Sequence, residues 1–495
     1  MCGILGIVSP APVAKDIIYA MTALQHRGQD AAGVVTLDTR FHMKKGLGLV
    51  SNVFHTEEDA KGLHGNAGLG HVRYATQGTT DVFDAQPFAV NYPFGLAMVH
   101  NGNVTNFQAL REWLNNEHHR LVETTNDVEL ILYTLAAELE KKHLARLSVH
   151  DIFASVGAIH ARVEGAYSVV TLIAGKGMLA FRDPYGIRPL IFGRKETPEG
   201  TAYAFASEST VFDYLGYELL REVRPGEAVF VTLDGEVHAW RAGVDEKATA
   251  NEGPTRGAFC AFEFIYFARE DSKMNGQLVA KARVLAGKRL ARAVRKAGVE
   301  PDIVIDVPSS AYFAASGLAE ELGVPYRRGL TKNNHVGRSF IVPSQVERER
   351  LVRQKLNPIR DIFEGKKVAV VDDSIVRGTT SKHIVKLLRD SGAKEVYFCS
   401  AAPPVKFRCV YGIDMATKKE IIAANHNVEE IREFIGADAV IYQSLEDLKD
   451  IYAEMAGCFA CFSGDYPTQV GESTFSIIEA ERLTRRSERM PISGR

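Results

Sequence analysis

A cysteine at position 2, directly behind Met1, would place two reactive groups in one residue once the methionine is trimmed. An ordinary cysteine thiol titrates near 8.5, and an α-amine at about 7.7–8.0 is suited to take the thiol proton and return it to a leaving amine. A small residue in second place needs no chemistry, so the surrounding residues have to decide. Gln25-His26-Arg27-Gly28-Gln29-Asp30-Ala31-Ala32-Gly33 gathers polar groups and glycines into what reads as one loop. His71-Val72-Arg73-Tyr74 ends a short strand in a cation, and Val99-His100-Asn101-Gly102-Asn103 ends another in a glycine-supported turn. Thr124-Thr125-Asn126-Asp127 opens a helix, where Asp127 would also serve as a cap or first-turn acid.

A second set lies far along the chain. The apolar run Lys367-Val368-Ala369-Val370-Val371 delivers Asp372 and Asp373 to a strand end, followed by Ser374-Ile375-Val376-Arg377-Gly378-Thr379-Thr380 and a helix. Strand ends of this kind bind ligands in α/β sheets. Backbone N–H groups and hydroxyls of Gly378, Thr379 and Thr380 at a helix start make an anion site. Carboxylates for ribose hydroxyls or Mg²⁺ beside donors for a phosphate describe a phosphorylated sugar.

Six cysteines are the third resource. Cys458 and Cys461 form a C-x-x-C, a spacing that lets two thiolates reach one metal. Cys260 and Cys409 are remote in sequence. Spacing alone leaves an iron–sulfur cluster, zinc, a redox pair and plain core thiols open. Cys399, within Val396-Tyr397-Phe398-Cys399, reads as a core residue.

The elements that must position these groups follow from periodicity. Residues 12–25 carry Ile17, Ile18, Met21 and Leu24 at helical spacing, and helices are predicted at 126–141 and 149–163. Strands are predicted at 95–99, 166–173 and 227–232. From about 240 to 255 the sequence loses periodicity and reads as a linker. Beyond it, helix 277–297, strand 302–306, strand 367–371, helix 381–391 and strand 395–398 alternate, which favours a parallel α/β sheet.

The 495 residues allow two to four domains. A hydrophobic content of 46% and a charged content of 24% exclude disordered and fibrous classes. The net charge of −2 supplies no global basic field for nucleic acid. Mean hydropathy is −0.09 and no apolar run approaches a membrane span. The start lacks a secretory pattern, so a soluble, cytoplasmic, multidomain protein with reduced thiols is expected.

The first-half segments, with Asp183-Pro184-Tyr185-Gly186-Ile187-Arg188-Pro189-Leu190 and Ala206-Ser207-Glu208-Ser209, resemble the class II, N-terminal-nucleophile glutamine amidotransferases over about residues 2–235. The resemblance implies that Cys2 attacks the glutamine carboxamide and Arg73 binds the α-carboxylate. Asp127 would receive the α-ammonium, with Asn101 and the Gly102 N–H as oxyanion donors.

The Asp372–Thr380 motif resembles the signature of type I phosphoribosyltransferases. Lys332 to Phe340 resembles a loop that closes over a diphosphate, and Val307-Pro308-Ser309-Ser310 a diphosphate-side loop. Lys332 and Arg338 would then carry loop cations, and Ser310, Asp372 and Asp373 would stand at the Mg²⁺ positions.

Together the halves resemble the glutamine phosphoribosylpyrophosphate amidotransferases. The fold implied is an α+β N-terminal-nucleophile αββα sandwich (2–240) joined to an α/β type I phosphoribosyltransferase domain (255–467), with a tail at 468–495. The activity implied is release of ammonia from glutamine and its passage to phosphoribosylpyrophosphate, the first step of purine biosynthesis. Cys260, Cys409, Cys458 and Cys461 fall where one branch of the family ligates a [4Fe–4S] cluster.

Purine-nucleotide feedback and a homotetramer or homodimer are also implied. Ser309, Asn334 and His335 depart from the family's usual acidic, Arg and Tyr residues, which puts loop closure and affinity in question. Two rivals are an amidotransferase with another acceptor, such as an amino-sugar synthase, and a paralogue that senses phosphoribosylpyrophosphate or purine nucleotides.

Overall fold

The computed structural model describes residues 1–74, 81–241, 257–333, 356–413, 417–471 and 474–476. The expected linker beyond Arg241, the loop residues Asn334, His335 and Arg338, and most of the 468–495 tail lie outside the described residues.

Strands with full burial along their length require cover on both faces, and the first half supplies it by stacking two sheets. One sheet contains β1 (Gly3–Val8), β2 (Ala31–Leu37), β3 (Phe41–Leu47), β4 (Ala67–Arg73), β9 (Ile191–Thr197), β10 (Gly200–Ala206) and β11 (Glu218–Glu222), in the order β11-β9-β10-β1-β4-β2-β3. The other contains β5 (Phe88–Val90), β6 (Leu96–Val104), β7 (Gly165–Ile173), β8 (Gly177–Arg182), β12 (Glu227–Thr232) and β13 (Val237–Arg241), in the order β13-β12-β8-β7-β6-β5. Every pairing in both is antiparallel.

Ile4, Val35 and Leu69 face Val99, Val170 and Val229 between the sheets. Helix Ala14–Ala23 puts Ile17 and Met21 on the outer face of the first sheet. Helices Phe107–Glu117, Asp127–Glu140 and Val149–Arg162 cover the second, where Leu135 and Val156 meet Val169 and Phe181. The result is the expected αββα sandwich. Full burial of each such side chain contributes about 1.5–3 kcal/mol.

The second half begins with β14 (Phe259–Cys260) and the β15–β16 hairpin (Lys273–Met274, Gln277–Leu278). Helix Val279–Lys296 crosses helix Tyr312–Leu322 at close range. A Cβ on Gly287 would stand 1.9 Å from the Ala314 carbonyl, and one on Gly317 would stand 2.2 Å from the Val284 carbonyl. Only glycine permits that approach.

β17 (Ile303–Asp306), β20 (Lys367–Asp372), β21 (Glu395–Ser400) and β22 (Ala439–Tyr442) form a parallel sheet in that order. Leu290, Ala315 and Leu318 cover one face, and Ile384, Leu388 and Ile435 the other. β18 (Leu330–Lys332) pairs with β19 (Leu356–Pro358), and β23 (Gly457–Cys458) pairs with β14.

Predicted boundaries hold within a few residues, with two differences at the site. Ala31–Gly33 belong to β2 rather than to the preceding loop. The strand expected at 95–99 runs on to Val104, so His100, Asn101, Gly102 and Asn103 lie inside β6 instead of in a turn. Pairing with β7 carries the ladder through this polar segment.

Candidate active site

Cys2 precedes β1 and is partly exposed. The ladder that pairs Gly3 with Val72 sets it beside the end of β4, where Arg73 stands. Its backbone nitrogen donates to Asn101 Oδ1 at 3.3 Å, and its Sγ lies 3.7 Å from the Tyr74 carbonyl. The bond to Oδ1 orients the Asn101 amide. Its Nδ2 is buried and has no hydrogen-bond partner among the described residues. A buried donor left open costs about 1–3 kcal/mol, so its retention beside a thiol points to a ligand atom that completes it.

Asp127 occupies the first position of its helix, with Asn126 as the cap whose side chain accepts from the Val128 N–H. The Asp127 carboxylate turns toward β6, accepting from the Val104 N–H at 3.1 Å and lying 3.2 Å from His100 Nδ1. Arg73 is buried, with Nη2 3.9 Å from Asp84 Oδ2, and the Asp84 carbonyl accepts from Asn126 Nδ2 at 2.7 Å. Thus Arg73 and Asp127, cation and anion, are tied to one scaffold next to Cys2. A glutamine α-carboxylate and α-ammonium require that pairing.

Behind the nucleophile lies a buried ion network. Arg27 Nε donates to the Cys2 carbonyl at 2.9 Å, while its other nitrogens meet Glu208 at 2.6 Å and Glu263 at 2.9 Å. Glu208 also meets His26 at 2.7 Å and accepts from Ser272 Oγ at 2.7 Å. Burial pushes the Glu208 carboxyl up, but His26 and Arg27 outweigh it and hold the group well below its usual range. His26, Arg27, Arg188 and Glu208 stood in segments singled out in the sequence, without a role. Glu263 was signalled only by being an acid within Phe262-Glu263-Phe264-Ile265-Tyr266-Phe267.

In the second half, β20 ends at Asp372 as expected. The Asp373 N–H donates to Asp372 Oδ1 at 2.9 Å, Ser374 Oγ donates to Asp373 Oδ1 at 2.7 Å, and Ser310 Oγ donates to Asp373 Oδ2. Burial raises both carboxyls, and Asp373 raises Asp372 further. Two adjacent acids that resist ionisation together form a donor set a divalent cation relieves. Arg283, on the buried face of helix Val279–Lys296, lines a small cavity with Ser310, Asp373 and Tyr452. Its signal in the sequence is a lone Arg on the apolar face of this helix, between Ala282 and Ala286.

Gly378 caps helix Thr379–Asp390 at φ +73°, leaving Thr379 and Thr380 exposed at its N-terminus. Arg377 Nη2 lies 3.7 Å from Glu420. Lys332 ends β18 and is exposed. Arg338 lies outside the described residues.

Cys260 and Cys458 are in register on β14 and β23. Cys461 follows one helical turn on, and Arg188 Nη2 is 4.0 Å from Cys409 Sγ. All six cysteines are free of disulfides. Burial raises the Cys260 thiol to about 11 against the opposing Arg188, and it raises Cys461 well above its usual range, where Cys260, Cys409 and Cys458 add to the effect. Cys399 stands apart in the core, pushed up to about 12 by burial alone. Among the described residues no three His, Cys, Asp or Glu side chains converge on one metal ion. The Cys260, Cys409, Cys458 and Cys461 thiols act on one another electrostatically and so share one neighbourhood.

Comparison with known proteins accords with both halves. Residues 71–213 match the glutamine amidotransferase domain family, and residues 274–419 match the phosphoribosyl transferase domain family. An amidophosphoribosyltransferase of Haemophilus influenzae is 47% identical over 479 residues, covering 94% of this chain and 93% of its own. The Escherichia coli amidophosphoribosyltransferase is 44% identical, covering 95% and 93%. The B. subtilis glutamine phosphoribosylpyrophosphate amidotransferase, solved in complex with ADP and GMP, superposes with a TM-score of 0.82 at 38% identity, covering 95% of this chain and 98% of its own. With two sites of matching chemistry on one chain and relatives this similar along nearly its full length, the chain belongs to the amidophosphoribosyltransferase family.

Proposed function

We propose that the chain carries out the amidophosphoribosyltransferase reaction by a division of labour between residues 2–240 and 255–467. In the first part Cys2 attacks the glutamine carboxamide and the C–N bond breaks to release ammonia, after which water hydrolyses the thioester to glutamate and frees the thiol. Arg73 holds the α-carboxylate and Asp127 the α-ammonium. Asn101 Nδ2 and the Gly102 N–H take the charge that develops on the carbonyl oxygen. Such preorganised donors act in a site shielded from water, and removing one costs about 2.7–4 kcal/mol of barrier. The observation that carries this reading is the buried, unbonded Asn101 Nδ2 beside the Cys2 nitrogen.

In the second part the ammonia attacks C1 of phosphoribosylpyrophosphate, reached inside the protein, and pyrophosphate leaves. Asp372 and Asp373 hold the ribose hydroxyls and Mg²⁺, with Ser310 beside them. Bound there, the ion supplies charge neutralisation for the leaving diphosphate. Ser374, Arg377, Gly378, Thr379 and Thr380 seat the 5-phosphate on the helix N-terminus, and Lys332 and Arg338 add cations over the diphosphate.

Cys260, Cys409, Cys458 and Cys461 would hold a [4Fe–4S] cluster with a structural role, because the reaction moves no electrons. The nucleotides bound to the B. subtilis relative support purine-nucleotide feedback here. A homotetramer or homodimer and a cytoplasmic location complete the proposal. No helix among the described residues is long and apolar enough to cross a membrane.

Purified, anaerobically handled protein supplied with glutamine, Mg²⁺ and phosphoribosylpyrophosphate should release glutamate and pyrophosphate in equal amounts. Glutamate without pyrophosphate would leave only an amidotransferase with another acceptor, and neither product would favour a sensor. About four irons per chain are expected with the cluster. Stoichiometric zinc without iron would overturn it.

A further inference from the structure

The oxyanion segment of β6 is held from outside its own half. Asn103 Nδ2 donates to the Val410 carbonyl at 2.9 Å, a buried hydrogen bond across 307 residues. Two residues on, Gly412 adopts φ +100°, and a Cβ there would stand 2.6 Å from the Gly102 carbonyl oxygen. The two backbones therefore touch at the residue whose N–H is to stabilise the oxyanion. The far side of the 409–412 loop is gripped by Arg188, fully buried, whose Nε and Nη2 donate to the Tyr411 carbonyl at 2.8 and 2.5 Å.

No substrate atom is needed to explain these contacts, and none of the three side chains or backbones reaches the thiol in the contacts described. Their common effect is geometric. Oxyanion donors must sit within tenths of an ångström of their target, and a displacement of about 1 Å can cost on the order of 10²-fold in rate. Gly102 lies two residues before the end of β6, and the last residue of that strand, Val104, is held through Asp127. The 409–412 loop closes the remaining side.

We propose that Asn103, Gly412 and Arg188 are positioning residues for glutamine hydrolysis. They seat the 409–412 loop of the phosphoribosyl half against Gly102, so the oxyanion site is complete only when the two halves are docked. The loop thereby makes ammonia release depend on the presence of the half that consumes it. The inference rests on Asn101 and Gly102 being the oxyanion donors.

The test compares glutamine-dependent and ammonia-dependent pyrophosphate release in the full-length enzyme. Gly412→Ala and Asn103→Asp should each lower kcat for glutamine hydrolysis about 10–100-fold. KM for glutamine and the ammonia-dependent rate should stay within about twofold. Gly436→Ala, a control at another left-handed glycine (φ +77°) with nothing within 4 Å, should leave the ratio of the two activities unchanged.

Equal loss of both activities in Gly412→Ala and Asn103→Asp would overturn the proposal, as would a raised KM at unchanged kcat or no change at all. Asn101→Ala is run in parallel. If it keeps its kcat, the oxyanion assignment itself has failed; if it falls while Gly412→Ala and Asn103→Asp do not, only the positioning role is lost.

Discussion

In the first half, the groups that would handle glutamine stand before β1, at the end of β4, within β6 and at a helix start, and all but Cys2 and Gly102 are buried. Arg73 and Asp127 are almost wholly enclosed, and the Asn101 amide is oriented by Cys2. In the second half, Arg377, Thr379, Thr380 and Lys332 are exposed, whereas the Asp372–Asp373 pair is held in place by neighbours. The difference follows from the two chemistries. Developing charge on one small carbonyl needs donors fixed beforehand, because any reorganisation adds to the barrier. A diphosphate brings several charges and a cation of its own, so its site gains by ordering around the ligand.

The largest effect should come from Cys2→Ala, which removes the nucleophile. Glutamate release is expected to fall by at least about 10⁴-fold, while ammonia-dependent pyrophosphate release persists. Loss of both would show that the halves are not separable in this way. Asn101→Ala should follow, with kcat for glutamine hydrolysis down about 10²–10³-fold and KM little changed.

Asp373→Asn probes the more open site. It should weaken Mg²⁺ dependence of pyrophosphate release by about 10–100-fold, read from metal titrations with either nitrogen donor. Equal Mg²⁺ affinity in the variant would remove Asp373 from the cation site.

The smallest effect bears on stability alone. Burial pushes His160 down to about 4 in the folded chain, below its unfolded value of about 6.5. As pH falls from about 6.5 to about 4 the unfolded chain takes up a proton that the folded one refuses, so stability declines across that window. His160→Phe should flatten this limb of the thermal midpoint by a few degrees. Both activities should keep their ratio at pH 7.

Much of the site was legible locally. Cys2, Arg73 at a strand end, the acid of Asn126-Asp127 and the Asp372–Thr380 run are contiguous motifs whose spacing and element type are set by neighbours in sequence. Polar residues inside β6 were harder. His100-Asn101-Gly102-Asn103 has turn composition, yet nine consecutive pairs with β7 from Leu96 to Val104 carry it as strand. Tertiary pairing overrode local propensity there. Glu263, Arg188 and Arg283 are charged residues in apolar surroundings, and sequence alone does not say which partner neutralises each.

The sequence by itself pointed to two chemistries and their order along the chain, because residue type, spacing and periodicity are local, and the family resemblance it carries sorted the six cysteines into an expected nucleophile, a group of four and a core thiol. Tertiary structure alone joined Arg27 to Glu263 across 236 residues, set Cys260 in register with Cys458, and seated Gly412 on the Gly102 carbonyl. Each is a contact between distant segments, and only tertiary packing decides which distant segments meet.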